Sequence, residues 1–163
     1  MDIKVRLIKK EELLVLERLL QLYLHDISLY FPIEFDSDKG LYSYDDLSKY
    51  FNASNNYPYF IECNNSIVGF ILIDVVDDCN IVQEIFVINN YKKLEIGKVA
   101  INKIFDTYKG KWIIKSLPKS EKAEKFWKRT IDAYTCGNYS VEKVGKYSRA
   151  VFTFDNKEKM YEV

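Results

Sequence analysis

The 163-residue chain is 48% hydrophobic and 29% charged, with 13 Tyr and 10 Phe, a composition that builds an aromatic-rich core and excludes extended disorder. Its 24 Lys plus Arg balance 24 Asp plus Glu, so a global electrostatic grip on nucleic acid or on an anionic membrane is not indicated. The length suits one domain, 1–163, in which any anion site must be a local feature.

Cys63, Cys79 and Cys136 are widely spaced, form no CxxC pair and cannot complete a zinc set with the single His25, so no metal site is expected. The start, Met1-Asp2-Ile3-Lys4, carries no apolar leader and no apolar run reaches membrane-spanning length; a cytoplasmic protein with reduced thiols is the plain expectation.

In chain order, Ile3, Val5 and Leu7 alternate with polar neighbours as a first strand. Leu13, Leu16, Leu20, Tyr23, Leu24 and Ile27 recur at helical spacing, which predicts an amphipathic helix from about Glu11 to Leu29. Phe31 to Tyr57 reads as a loop with one short helix near Asp45–Phe51. Tyr59–Cys63 and Ile67–Val75 read as strands joined by a turn at Asn64-Asn65-Ser66, and Asp77-Asp78 turns the chain into a strand Ile81–Ile88. Gly69, inside a strand, signals a bulge or a close backbone approach.

A helix from about Leu94 to Tyr108 should bury Ile96, Val99, Ala100, Ile104 and Phe105, and Gly110 should stop it. Trp112-Ile113-Ile114 is a short buried strand. Ser120 is placed to cap a further helix whose inner stripe is Ala123, Phe126, Trp127, Ile131 and Tyr134. Tyr139–Val144 and Tyr147–Phe154 close the chain as a strand pair that could be exchanged or paired across a homodimer. The whole is an α/β (α+β) chain, a mixed sheet with helices on both faces.

Residues Glu84 to Ala100 read E-I-F-V-I-N-N-Y-K-K-L-E-I-G-K-V-A, an apolar strand running into a basic loop that opens a helix. A helix start exposes free N–H groups and the positive end of the macrodipole, which suits a phosphate. Lys92, Lys93 and Lys98 crowd this place. On pattern alone they are equally readable as solvated surface lysines. A dinucleotide site is not indicated, because Leu7-Ile8-Lys9-Lys10 offers no glycine-rich first turn.

The order strand, basic loop, helix, strand, helix resembles the GNAT superfamily of N-acetyltransferases. Val87, Tyr91, Lys92 and Gly97 fall where that family has Val-x-x-x-Tyr followed by Gln/Arg-x-x-Gly-x-Gly/Ala. Ser120, Ala123, Phe126 and Trp127 fall on its Asn-x-x-Ala-x-x-Phe-Tyr. The topology match covers nearly the whole chain and the motif match roughly Gln83–Trp127. The run Lys125–Lys128 and the later Tyr134-Thr135-x-Gly137-Asn138-Tyr139 are most similar to a bacterial branch of the family.

The resemblance implies a mostly antiparallel sheet of about seven strands with a splayed central pair, and acetyl-CoA as co-substrate. Ile85, Phe86 and Val87 would pair with its pantetheine arm, and the N–H of Phe86 or Val87 would polarise the thioester carbonyl. Lys92, Lys93, Leu94, Glu95, Ile96, Gly97 and Lys98 would hold the pyrophosphate, with Ser120 nearby as cofactor contact or simple helix cap. A small-molecule or peptide amine would attack directly. Glu84 is then the candidate base, or else a surface acid at a strand edge. His25 and Asp26 would border the acceptor, although a His near a helix end also serves the dipole. Glu34, Asp36, Asp38, Asp45 and Asp46 form an acidic stretch that could attract a cationic amine or simply be solvated.

Two positions depart from the family pattern. Glu95 stands for a glycine, and its carboxylate about 6 Å from a phosphate charge would cost about 3 kcal/mol at an effective dielectric near 20, less if it points to solvent. Trp127 stands for the tyrosine that serves as general acid, which leaves Tyr134 as the nearest alternative. Both departures keep open a module of the same fold that binds acyl-CoA without turnover.

Overall fold

A computed structural model describes residues 1–158; the last five residues of the expected domain, 159–163, lie outside the described residues. The strands of the main sheet are β1 (Ile3–Leu7), β4 (Asn56–Cys63), β5 (Ser66–Val76), β6 (Cys79–Val87), β7 (Lys111–Lys115), β8 (Ser140–Val144) and β9 (Arg149–Asp155). They lie in the order β1-β4-β5-β6-β7-β9-β8. Every neighbouring pair is antiparallel except β6 and β7, which run parallel. A two-stranded ribbon, β2 (Phe35–Asp36) with β3 (Leu41–Tyr42), lies apart from this sheet. It falls in the stretch read as loop: its two-residue strands are too short to show alternation, and only Gly40, with φ +68°, marks its turn.

Two helix pairs cover the sheet. On one face, α1 (Leu13–Ile27) buries Leu16, Leu20, Leu24 and Ile27, and α2 (Lys49–Asn52) buries Tyr50, against Phe60, Phe70, Leu72 and Phe86. On the other, α3 (Ile96–Thr107) and α4 (Glu121–Thr135) pack Ile96, Ile104, Phe105, Trp127 and Ile131 against Ile61, Ile71, Val87, Trp112 and Phe152. The period-two alternation of β4, β5 and β6 supplies both faces at once, as expected of strands buried on both sides.

The turns read from sequence are present. Asn64 and Asn65 both take left-handed φ, +50° and +67°, as a two-residue hairpin requires, and Asp77 and Asp78 do the same between β5 and β6. Ser120 caps α4 by accepting the Ala123 N–H at 3.1 Å.

The structure shifts some boundaries. α1 starts after a 3-10 turn, Lys10–Glu12, and α2 is a single turn set later than expected. Val99 is 37% exposed, while Ile101 is fully buried in its stead. The helix begins at Ile96, so its inner stripe runs Ile96, Ala100, Ile101, Ile104, Phe105 and leaves Val99 on the flank.

Gly69 is the site of a close approach. A Cβ built there would lie 2.0 Å from the carbonyl oxygen of Phe86, and β4 pairing shifts register beside it, between Ile61 and Glu62. Gly69→Ala must push β6 away from β5. It should lower unfolding stability by about 3 kcal/mol, read from urea denaturation.

Candidate active site

β6 and β7 pair only from Cys79↔Lys111 to Val82↔Ile114. β7 ends one residue later, whereas β6 runs on to Val87 beside β5. The edge of β6 beyond Val82 therefore has no strand on the β7 side. A cavity of about 1780 Å³ opens there, lined by β6, the start of α3 and the start of α4.

A bulge fixes what β6 shows to this cavity. Leu72 pairs with Glu84 and Ile73 with Val82, so Gln83 is an extra residue without a partner. In a regular strand Glu84 would share the face of Val82. The extra residue turns Glu84 onto the α1 face with Phe86, while Val82, Ile85 and Val87 belong to the α3 face. Gln83 is exposed and lines the cavity.

Backbone direction follows from the same register. The Ile88 N–H donates to the Val68 carbonyl at 2.9 Å, and successive residues alternate the side to which their backbone groups point. Phe86 therefore turns its N–H to β5, and Ile85 and Val87 turn theirs to the gap. Of the three residues expected to meet an extended ligand arm, Ile85 and Val87 have backbone groups free to do so. Phe86 is committed to β5, which corrects its expected role as carbonyl polariser.

Beyond β6, Asn89–Leu94 forms a 3-10 turn and Glu95 takes a left-handed conformation, φ +57° and ψ +20°, at the N-cap of α3. This geometry explains why glycine suits the position: a side chain there is strained. No side chain among the described residues caps α3, so the first-turn N–H groups of Ile96, Gly97 and Lys98 have no intrahelical acceptor. Glu95, Gly97 and Lys98 line the cavity; Lys93, Leu94 and the fully buried side chain of Ile96 do not. Lys119, Lys122, Lys125 and Arg129 add positive charge along the α4 side. A Cβ at Gly97 would meet the Phe126 ring at 3.6 Å, an ordinary contact. Lys92 turns inward, pairing with Asp26 at 3.2 Å and lying 5.6 Å from the Phe86 ring centre. Buried Ser120 lines the cavity while capping α4, and its hydroxyl proton remains available to a ligand.

At the inner end, both oxygens of Glu84 accept phenol hydrogen bonds. Tyr23 of α1 donates to Oε2 in a short hydrogen bond, and Tyr44 donates to Oε1 at 3.2 Å. Burial raises the Glu84 carboxyl above its ordinary value, against the opposing hydrogen bonds from Tyr23 and Tyr44 and the charge of Arg149. Burial, and then the Glu84 charge, push the Tyr23 hydroxyl well above its ordinary value. Tyr23 and Glu84 line the large cavity; Tyr44 lines a smaller groove of about 470 Å³ beside Asp45 and Asp46.

Two candidates fall elsewhere. Tyr134 packs on Phe105 and Phe154 in the core and donates to Asp106 at 2.8 Å, so it is not a cavity group. It lies on the inner stripe of α4 a full two turns past Trp127, and the helix carries it under α3. His25 faces the ribbon, where Nδ1 meets the Tyr42 hydroxyl at 2.9 Å, and only its neighbour Asp26 borders the cavity. Tyr23 was legible only as a member of the apolar stripe, although a hydroxyl on a leucine-lined helix face needs a partner. Tyr44 lies in a segment without periodicity and carried no signal. No group of metal-ligating side chains occurs among the described residues, and no helix among them is long and apolar enough to cross a membrane.

A parted parallel strand pair and an uncapped, basic helix start thus face one another across the cavity. The sequence matches the model of the Acetyltransferase (GNAT) family over residues 18–131. The chain belongs to that family. The fold is similar to an acetyltransferase from Thermus thermophilus, with TM-score 0.72 at 10% identity, covering 95% of this chain and 97% of that one. It is also similar to the PaiA N-acetyltransferase from Thermoplasma acidophilum in complex with coenzyme A, with TM-score 0.67 at 12% identity over 95% and 99%. A third similar structure is the spermidine N-acetyltransferase from Vibrio cholerae in complex with CoA and spermine, with TM-score 0.64 at 11% identity over 97% and 98%. No curated protein matches by sequence.

Glu95→Gly relieves the left-handed strain and should raise stability by about 1 kcal/mol in urea unfolding. An unchanged or lower midpoint would show that the Glu95 conformation carries no strain.

Proposed function

We propose that the protein, acting as one domain in the cytoplasm, moves an acetyl group from acetyl-CoA to a primary amine. One observation carries this reading: the unpaired edge of β6, with Ile85 and Val87 turned outward, faces the uncapped start of α3 across a basic cavity that ends at Glu84. The residues present fit the cofactor. Ile85 and Val87 offer a strand edge to an amide-bearing arm, and the N–H groups of Ile96, Gly97 and Lys98 offer a cradle for a diphosphate. The CoA of the Thermoplasma and Vibrio structures and the amine of the Vibrio protein's name support the same chemistry. The free thiols of Cys63, Cys79 and Cys136 suit a reducing compartment.

In this mechanism the Val87 N–H polarises the thioester carbonyl, and the strand edge holds it in line with the amine. Glu84 takes a proton from the attacking amine, directly or through a water. The base must be ionised to act. Because burial raises its carboxyl, the rate should be lost as pH falls through a value higher than that of an ordinary glutamate. The rival reading, a module that binds acyl-CoA without turnover, is favoured by Glu95 at the cradle and by Trp127, whose indole cannot donate a proton at neutral pH.

The two readings part on a paired measurement. Acetyl-CoA at micromolar concentration should raise the thermal unfolding midpoint by mass action, and primary amines should then release free thiol. Glu84→Gln should lower kcat by roughly a hundredfold or more while leaving the midpoint shift in place. Binding without thiol release on any amine would establish the module; no midpoint shift would defeat both.

A further inference from the structure

Acetyl transfer must also return a proton to the departing sulfur. The indole of Trp127 lines the cavity but is only 5% exposed and packed edge-on against Phe126, and Tyr134 lies in the core. Among the described residues two phenols line the cavity, Tyr23 and Tyr30, and Tyr23 is the one bonded to Glu84. Its ring is fixed edge-on to Phe70 and against Phe86, each at 5.9 Å, so the hydroxyl is held at the carboxylate. Resting on the acetyl-transfer reading, we propose that Tyr23 is the proton donor to the leaving thiolate and forms a relay with Glu84.

The proton count closes on these two side chains. The amine lone pair forms the N–C bond, the C–S bond breaks, and its electron pair leaves on sulfur. Glu84 takes the nitrogen's proton, Tyr23 gives its hydroxyl proton to sulfur, and the proton on Glu84 passes along the existing hydrogen bond to the Tyr23 oxygen. One proton has moved from nitrogen to sulfur and both side chains are restored. An acceptor that arrives as an ammonium loses one further proton to water beforehand.

The electrostatics give the relay its order. While Glu84 is ionised, its charge holds the Tyr23 proton in place. Once Glu84 has taken the amine proton that charge is gone, and the phenol becomes a better acid when the thiolate appears. The other groups acting on the pair are Tyr44, Asp74 of β5 and Arg149 of β9. Tyr44 bonds the same carboxylate from outside the large cavity, so it can steady Glu84 without reaching the sulfur.

The test compares Tyr23→Phe with Tyr44→Phe and Tyr57→Phe on acetyl-CoA and on its selenoester analogue, whose selenolate leaves without needing a proton. Tyr23→Phe should lower kcat by roughly a hundredfold on the thioester and recover most of the loss on the selenoester. Tyr44→Phe should lose equally on both donors, and Tyr57→Phe, at a phenol of β4 that lines neither cavity, should lose on neither. In the ligand-free protein, the carboxyl carbon of Glu84 followed by NMR should ionise at higher pH in Tyr23→Phe than in the native chain. A native rate in Tyr23→Phe, an equal loss on both donors, or a Glu84 titration that does not move would overturn the relay. Failure of the native protein to release thiol with any amine would instead remove the acetyl-transfer reading itself.

Discussion

The site depends on one break in backbone hydrogen bonding, where β6 leaves β7 after Val82. A strand inside a sheet has each edge saturated by a neighbour, and an unpaired buried edge is costly. Here β5 holds one edge of β6 as far as Val87 while the other edge faces a cavity. The gap is held open from both sides. Gly69 lets β5 approach the Phe86 carbonyl closely, and α3 wedges Ile96 and Gly97 against Val87 and Phe126.

The single extra residue at Gln83 then divides the labour. It puts Ile85 and Val87 on the α3 face and Glu84 and Phe86 on the α1 face. A ligand arm in the gap and a reacting amine near α1 would approach the same two or three residues from opposite faces of the sheet. Glu84 sits half-buried in that division, steadied by two phenols rather than by a bonded cation among the described residues. A carboxylate in such a place destabilises the folded chain at neutral pH relative to a neutral group, because the native state binds the proton more tightly than the unfolded one.

Much of this was legible from sequence. Alternation and helical spacing marked the main strands and the long helices, because those elements bury large apolar faces; the Asn64-Asn65 and Asp77-Asp78 turns announced themselves through residues that tolerate left-handed backbone. Ser120 was readable as a cap because its hydroxyl stands just before an acidic first turn. The bulge at Gln83 was not, since it depends on how β5 and β6 settle into register. The place of Tyr134 is not legible either, because sequence distance along α4 does not reveal that it packs on Phe105 and bonds Asp106 of α3. Tyr23 and Tyr44 meet Glu84 from 61 and 40 residues away, and such long-range convergence leaves no trace in local pattern.

The central claim is that the open edge of β6 and the uncapped start of α3 together receive acetyl-CoA. Amide hydrogen exchange, followed residue by residue with and without acetyl-CoA, tests it most directly. The account predicts new protection at Ile85 and Val87 and at Ile96, Gly97 and Lys98, with Phe86 unchanged because its N–H is already held by β5. Protection absent from these amides, or appearing instead on the exposed β8 edge or the ribbon, would contradict it.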